Sequence, residues 1–233
     1  MIQKSTRNRL FILAGEPSGD AHGEHLMQSI DAQFFGIGGP KMRALGLEVT
    51  RPMEDLSVMG LWPVIKALPR LFHVFRQTWK QILQEDPDGV ILIDYPVFNL
   101  MLMKKLRKKG YRGKIIQYIA PSVWAHGKRR AETIKACADL LLVIYPFEKA
   151  YFPHMHVELV KNPLAEAAAV SKVPDQQRRA LIALFPGSRR SEIAHNLPLL
   201  KGVAKQLQER YPELEIAISA AHARAAEQIG EPS

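Results

Sequence analysis

The stretch Leu10-Phe11-Ile12-Leu13-Ala14-Gly15-Glu16-Pro17-Ser18-Gly19-Asp20, LFILAGEPSGD, runs from an apolar strand into a turn with two glycines, a hydroxyl and two carboxylates. A helical pattern follows over 19–30, and strand, polar turn and helix then recur. The short β-branched-rich runs 9–14, 88–94, 114–119 and 139–144 read as buried strands of a parallel sheet. Helical stretches at 19–30, 64–84, 97–109 and 128–137 separate them. This alternation predicts an α/β fold with a doubly wound, Rossmann-like parallel sheet. Open sheets of that kind gather their sites outside the carboxyl ends of the strands, where these turns fall.

The opening turn lacks both GxxxxGK[ST] and GxGxxG, so it is neither a P-loop nor a dinucleotide fingerprint. Its backbone N–H groups at a helix start suit an anion or sugar hydroxyls, with Gly15, Glu16, Ser18, Gly19 and Asp20 as candidates. The alternative, that Ser18 or Asp20 only caps the helix, stays open. A second glycine turn, Phe35-Gly36-Ile37-Gly38-Gly39-Pro40, also follows a strand. Asp94 closes the run VILID at a strand's carboxyl end, a place for a general base or for a turn-capping Asp. Pro121-Ser122-Val123-Trp124 follows the next strand, where Ser122 and Trp124 suit a sugar pocket and Trp124 equally suits packing. In Phe185-Pro186-Gly187-Ser188-Arg189, strand, glycine turn and arginine precede a helix. Gly187, Ser188 and Arg189 fit a diphosphate there; the alternative is a surface arginine.

Residues 1–160 form the first domain on this reading. An alanine-rich linker follows over 161–178, and a second unit over 179–233 holds strands 180–185 and 214–219 around a helix at 191–210. Two strands are too few for an independent Rossmann-like domain, so 179–233 is expected to be the incomplete start of one.

The chain's 233 residues are 47% hydrophobic, the composition of a core-forming protein. No apolar run reaches the roughly 18 residues of a membrane span, and no signal-peptide core opens the chain, which predicts a cytoplasmic location. The lone Cys137 is expected to be a buried structural thiol, since one cysteine forms no internal disulfide. A net charge of +9 favours an anionic partner. Over 61–83, Ile65, Leu68, Phe72, Phe75, Trp79 and Ile82 recur at helical spacing opposite Lys66, Arg70, His73, Gln77 and Lys80, with no Asp or Glu from Leu56 to Gln84. This is a basic amphipathic helix, with Trp62, Phe72, Phe75, Trp79, Lys66 and Arg70 as a membrane interface or one face packed on the sheet. Pro69 argues against a long uninterrupted helix. A second basic tract, Lys104 to Lys114, fits an anionic bilayer better than nucleic acid, because no RNP-like aromatic motif, zinc finger or helix-turn-helix accompanies it.

Several motifs occur together in one order: AGEPSGD at 14–20, GIGGPKM at 36–42, Val58-Met59-Gly60, ID-x-P-x-FN at 93–99, PSVWA at 121–125, Pro146-Phe147-Glu148 and PGSR-x-x-EI at 186–193. The ordered set resembles the lipid-A-disaccharide synthase family, inverting glycosyltransferases of the GT-B architecture. The resemblance implies transfer from UDP-2,3-diacylglucosamine to 2,3-diacylglucosamine 1-phosphate, without metal or other cofactor, on the cytoplasmic face of the inner membrane. It implies Asp94 as base, Arg189 as the group facing the leaving diphosphate, and Asn99 among the substrate-binding residues. Val97 stands where the family usually carries a second Asp, and Lys161-Asn162-Pro163 replaces Gly-His-Pro. The family's second domain, with most of its UDP-sugar pocket, continues past residue 233, so a further C-terminal fragment is an expected partner. The competing expectation is a catalytically silent acyl-sugar-binding protein of the membrane surface.

Overall fold

The protein is described by a computed structural model at residues 8–56, 61–123, 127–162, 165, 180–187, 190–220 and 223–230, and the side chains at 61–67, 128, 190, 191, 223 and 224 fall outside that description. The chain divides into two compact units, Met1–Ala168 and Ala169–Ser233. In the first, β1 (Arg9–Ala14), β2 (Gln33–Gly38), β3 (Glu48–Pro52), β4 (Gly89–Ile93), β5 (Lys114–Tyr118), β6 (Leu140–Val143) and β7 (Val157–Leu159) form one sheet in the order β3-β2-β1-β4-β5-β6-β7. All its pairings are parallel.

Strand alternation sorts the core into two layers. Phe11 and Leu13 of β1, with Val90 and Leu92 of β4, face α3 (Leu61–Glu85), α4 (Pro96–Lys108) and α5 (Lys128–Cys137) through Val74, Phe75, Ile82, Leu102 and Ile134. Ile12, Ala14, Ile91 and Ile93 face the other way, toward Met27 of α1 (Pro17–Ser29) and Met42 of α2 (Pro40–Ala44). The strands are therefore buried on both faces, which is why they read as unbroken apolar runs. Cys137 is buried at the end of α5, and burial pushes its thiol up.

Helix α3 continues through Pro69, against the expectation of a break there. Pro69 is exposed, so water can solvate the carbonyl that its missing N–H leaves free one turn earlier.

The second unit pairs β8 (Leu181–Leu184) in parallel with β9 (Glu215–Ile218). Its helices α6 (Arg190–Arg210) and α7 (Ala223–Ile229) bring Ile193, Ala225 and Ile229 into a small buried cluster. Most of the expected linker over 161–178 lies outside the described residues.

Gly36 in β2 has φ +143°, and a Cβ there would lie 2.0 Å from the Ile12 carbonyl oxygen of the neighbouring strand. Gly36→Ala should accordingly lose about 3 kcal/mol of stability, read by urea unfolding, through backbone strain and overpacking. A loss below about 1 kcal/mol would show that the strand pair can open to admit the methyl group.

Candidate functional site

The register of β1 on β4 places Ala14 beside Ile93, so the turns after these two strands emerge side by side. The strand order also reverses here, since β1 is followed in the chain by β2 on one side while β4 is followed by β5 on the other. This is the switch point at which an open α/β sheet leaves a crevice.

Two consecutive residues after β4, Asp94 and Tyr95, take left-handed backbone with φ of +43° and +49°. The Asp94 N–H donates to the Tyr118 carbonyl at 2.9 Å, tying this turn to the end of β5. The Asp94 carboxyl is half-buried; burial pushes its pKa above the ordinary carboxylate value, and the Tyr95 N–H pulls it partly back. The Tyr95 ring lies against Gly15, where a Cβ would come within 2.6 Å of Tyr95 Cγ. The Tyr95 hydroxyl donates to the Leu56 carbonyl at 2.7 Å; burial, and then the Glu16 charge, push its pKa up. Gly15, Glu16 and Asp94 are thus brought together, with Tyr95 as a wall that the sequence reading did not single out. Ser18 is exposed in the first turn of α1 and Ser122 on the turn after β5.

Other candidates have different work. Gly19 is buried against Ala14, letting α1 approach β1. Asp20 is only 2% exposed: its Oδ1 accepts from the N–H groups of Gly39 and Met42 at 2.8 and 3.1 Å, and its Oδ2 from Lys41 at 3.0 Å. It caps α2 instead of its own helix or a sugar, and the negative charge suits that helix start. Asn99 is 0% exposed in the first turns of α4, so it departs from the expected contact with substrate. Glu148 is likewise buried, accepting the Tyr145 N–H at 3.1 Å to close the turn after β6. In the second unit, Gly187 has φ +115°, and the Asn196 amide donates to the Pro186 carbonyl at 3.0 Å, fastening that turn to α6. Trp124, Ser188 and Arg189, and the side chains of Trp62 and Lys66, lie outside the described residues.

The amphipathic helix divides along its length. Phe75 departs from the expected membrane face: it is buried, meeting Phe98 edge-on with ring centres 5.5 Å apart. Trp79 is half-buried on the core, with the Lys105 and Lys109 ammonium groups 5.0 and 5.8 Å from its ring centre. Arg70 is exposed and pairs with Asp55. Only the half of α3 next to the turn after β4 turns apolar side chains outward, with Leu68 54% and Phe72 63% exposed. Together with Leu71, Phe75, Phe98, Met101 and the segment Tyr95-Pro96-Val97, they line an apolar groove of about 380 Å³. The groove begins one residue after Asp94.

Comparison with known proteins follows the same architecture. The family model described as Lipid-A-disaccharide synthetase matches residues 10–232. A lipid-A-disaccharide synthase of Acinetobacter baylyi is 41% identical over 228 residues, covering 91% of this chain and 57% of that protein. One from Chlamydia pneumoniae is 42% identical over 201 residues, covering 80% of this chain and 33% of that protein. The chain therefore spans between a third and three-fifths of these relatives. Among solved structures, a putative UDP-N-acetylglucosamine 2-epimerase from Listeria monocytogenes aligns with TM-score 0.59 at 9% identity, over 97% of this chain and 65% of its own. The UDP-GlcNAc 2-epimerase of Neisseria meningitidis, solved with UDP-GlcNAc bound, aligns with TM-score 0.57 at 10% identity, over 95% of this chain and 67% of its own. At such identities the structures report the fold, which is GT-B-like.

Burial of Asp94 has a thermodynamic sign. Its folded pKa lies above the unfolded value, so folding favours the neutral carboxyl; that stability is complete below the unfolded pKa and is lost as pH rises through the folded one. Asp94→Asn should therefore melt higher than the parent near pH 7 and no higher near about pH 3, where the carboxyl is protonated in both states. A lower melting temperature near pH 7 would show that the carboxylate stabilises the fold.

Proposed function

The chain belongs to the lipid-A-disaccharide synthase family, and on that premise we propose that it carries the acceptor side of a hexosyltransferase. The reaction is condensation of UDP-2,3-diacylglucosamine with 2,3-diacylglucosamine 1-phosphate to the disaccharide 1-phosphate and UDP. One observation carries the reading: a half-buried carboxyl, Asp94, stands at the switch point of the sheet with an apolar groove beginning at the next residue. A sugar hydroxyl and an acyl chain are the two things those neighbours suit.

Asp94 takes the proton of the acceptor's 6-hydroxyl while that oxygen bonds the anomeric carbon of the donor. The bond from that carbon to the diphosphate breaks on the opposite face, and its electron pair leaves with UDP. Gly15, Glu16 and Ser18 line the acceptor side, with Ser122 on the turn after β5 and Trp124 two residues further along the sequence. Arg189, with the backbone at Gly187 and Ser188, offsets the charge arriving on the diphosphate. Val97, in place of the family's usual second Asp, adds apolar surface to the groove and is 66% exposed.

Membrane association belongs to the same proposal. Leu68 and Phe72 present apolar surface beside the site, while the exposed Lys104, Lys108, Lys109, Arg112 and Lys114, toward the amino edge of the sheet where α4 ends and β5 begins, add positive charge that draws the protein to an anionic leaflet over longer range. No helix among the described residues is long and apolar enough to cross a bilayer.

The test is UDP release and disaccharide formation from both lipid substrates, by the chain with and without a C-terminal fragment of the family. Product is expected once the donor pocket is complete, and its absence then overturns the proposal. Asp94→Asn should lower kcat by at least about 100-fold, the low end for a general base. In the parent, activity should fall with acid at a pH above the ordinary carboxylate range, because burial raises the Asp94 pKa. Leu68→Ser with Phe72→Ser should reduce sedimentation with anionic vesicles while leaving the melting temperature nearly unchanged, whereas Phe75→Ser should destabilise the fold by about 3 kcal/mol. Unchanged vesicle binding by the double variant would remove α3 from the membrane contact.

A further inference from the structure

The left-handed pair Asp94-Tyr95 is held from behind by a residue that touches no solvent. The Asn99 Nδ2 donates to the Ile93 carbonyl at 3.3 Å and also to the Asp94 carbonyl, so one carboxamide spans the last residue of β4 and the first of the turn. Its own N–H donates to the Tyr95 carbonyl at 3.1 Å. Asn99 therefore meets three successive carbonyls, of Ile93, Asp94 and Tyr95, from the first turns of α4. The side chain is 0% exposed, and its Oδ1 is buried with no hydrogen-bond partner among the described residues. An amide that uses its donors and leaves its acceptor idle is kept for the donors.

We propose that Asn99 is a positioning residue for Asp94: its buried carboxamide fastens the carbonyls of Ile93 and Asp94 and so holds the left-handed turn that aims the Asp94 carboxyl into the crevice. This assignment rests on the transferase reading for its catalytic consequence, and on geometry alone for its structural one.

The adjoining strand uses the same device. Gln117 of β5 is buried and donates Nε2 to the Ile119 carbonyl at 3.0 Å, Ile119 has φ +69°, and the Gln117 Oε1 is again buried without a partner among the described residues. A β-branched residue rarely adopts that backbone, so a side-chain clamp is expected beside it. The Asp94 N–H to Tyr118 carbonyl bond joins the two clamped ends. A leucine at 99 keeps the heavy-atom branching in a somewhat larger volume and offers neither donor. A serine retains one.

The experiment compares the parent chain with Asn99→Leu and Asn99→Ser. Backbone carbon chemical shifts and amide-to-α-proton couplings at Asp94 and Tyr95 report whether the left-handed turn survives, independently of turnover. Asn99→Leu is expected to lose the left-handed signature at both residues and to lower kcat about 100-fold, with each KM within about threefold of the parent. Asn99→Ser should keep part of the signature and part of the rate; it decides the matter if the leucine variant does not fold. Retention of the parent's backbone signature in the folded variants overturns the proposal, as does a parent-like kcat. If the parent releases no UDP even with the donor domain supplied, the transferase reading fails, while the backbone measurement still decides whether Asn99 holds the turn.

Discussion

The mouth of this sheet depends on two residues held where L-amino acids seldom rest. Asp94 and Tyr95 follow β4 in left-handed backbone, a conformation that disfavours a non-glycine residue by about 1–2 kcal/mol. It persists because every direction is tied. The Asp94 N–H reaches β5, the Asn99 amide gathers the carbonyls of Ile93 and Asp94, and the Tyr95 hydroxyl reaches the Leu56 carbonyl. Gly15 leaves room for the Tyr95 ring and joins the turn after β1 to the one after β4. Four chain segments thereby converge on this one turn.

That arrangement separates two solvents for a ligand. Gly15 packs on the Tyr95 ring and the Glu16 charge acts on its hydroxyl, while Tyr95 also lines the groove made with Leu68, Phe72, Val97 and Met101; the half-buried Asp94 directly precedes it in the chain. The partition follows from the fold. The last turns of α3 press Ile82 into the sheet, while the half of α3 near the Asp94 turn leaves Leu68 and Phe72 outward. A single helix with one continuous apolar face thus serves the core at one end and a surface at the other.

Much of this was legible in residue order. The runs RLFILA, GVILI and KIIQY announced β1, β4 and β5 because strands covered on both faces are unbroken apolar runs. The edge strands β3 and β7 escaped detection: EVTRP is polar and VEL is three residues long, so neither carries a periodic signal. Asp94 was identified as a strand-end carboxylate, but its left-handed backbone was not, because no glycine marks it. Asp20 and Asn99 show the main limit. Each is a polar residue inside a motif and each is buried on backbone partners: for Asp20 these lie 19 to 22 residues away and only the strand order brings them near, while for Asn99 they are the local carbonyls of a left-handed turn that no glycine announces. The spread of α3 between core and groove was similarly invisible, since helical spacing tells which residues share a face and not where the sheet beneath them ends.

The proposed chemistry requires that the fold hold Asp94 as a partly desolvated carboxyl. Its most direct measurement is a pH titration of the Asp94 side-chain carboxyl carbon by NMR in the parent chain. The expected midpoint lies above the ordinary aspartate value of about 3.9, because the half-buried site disfavours the charged form. A midpoint at or below that value would contradict it, since the carboxyl would then be a solvated or charge-paired turn residue with no preference for the proton it is assigned to take.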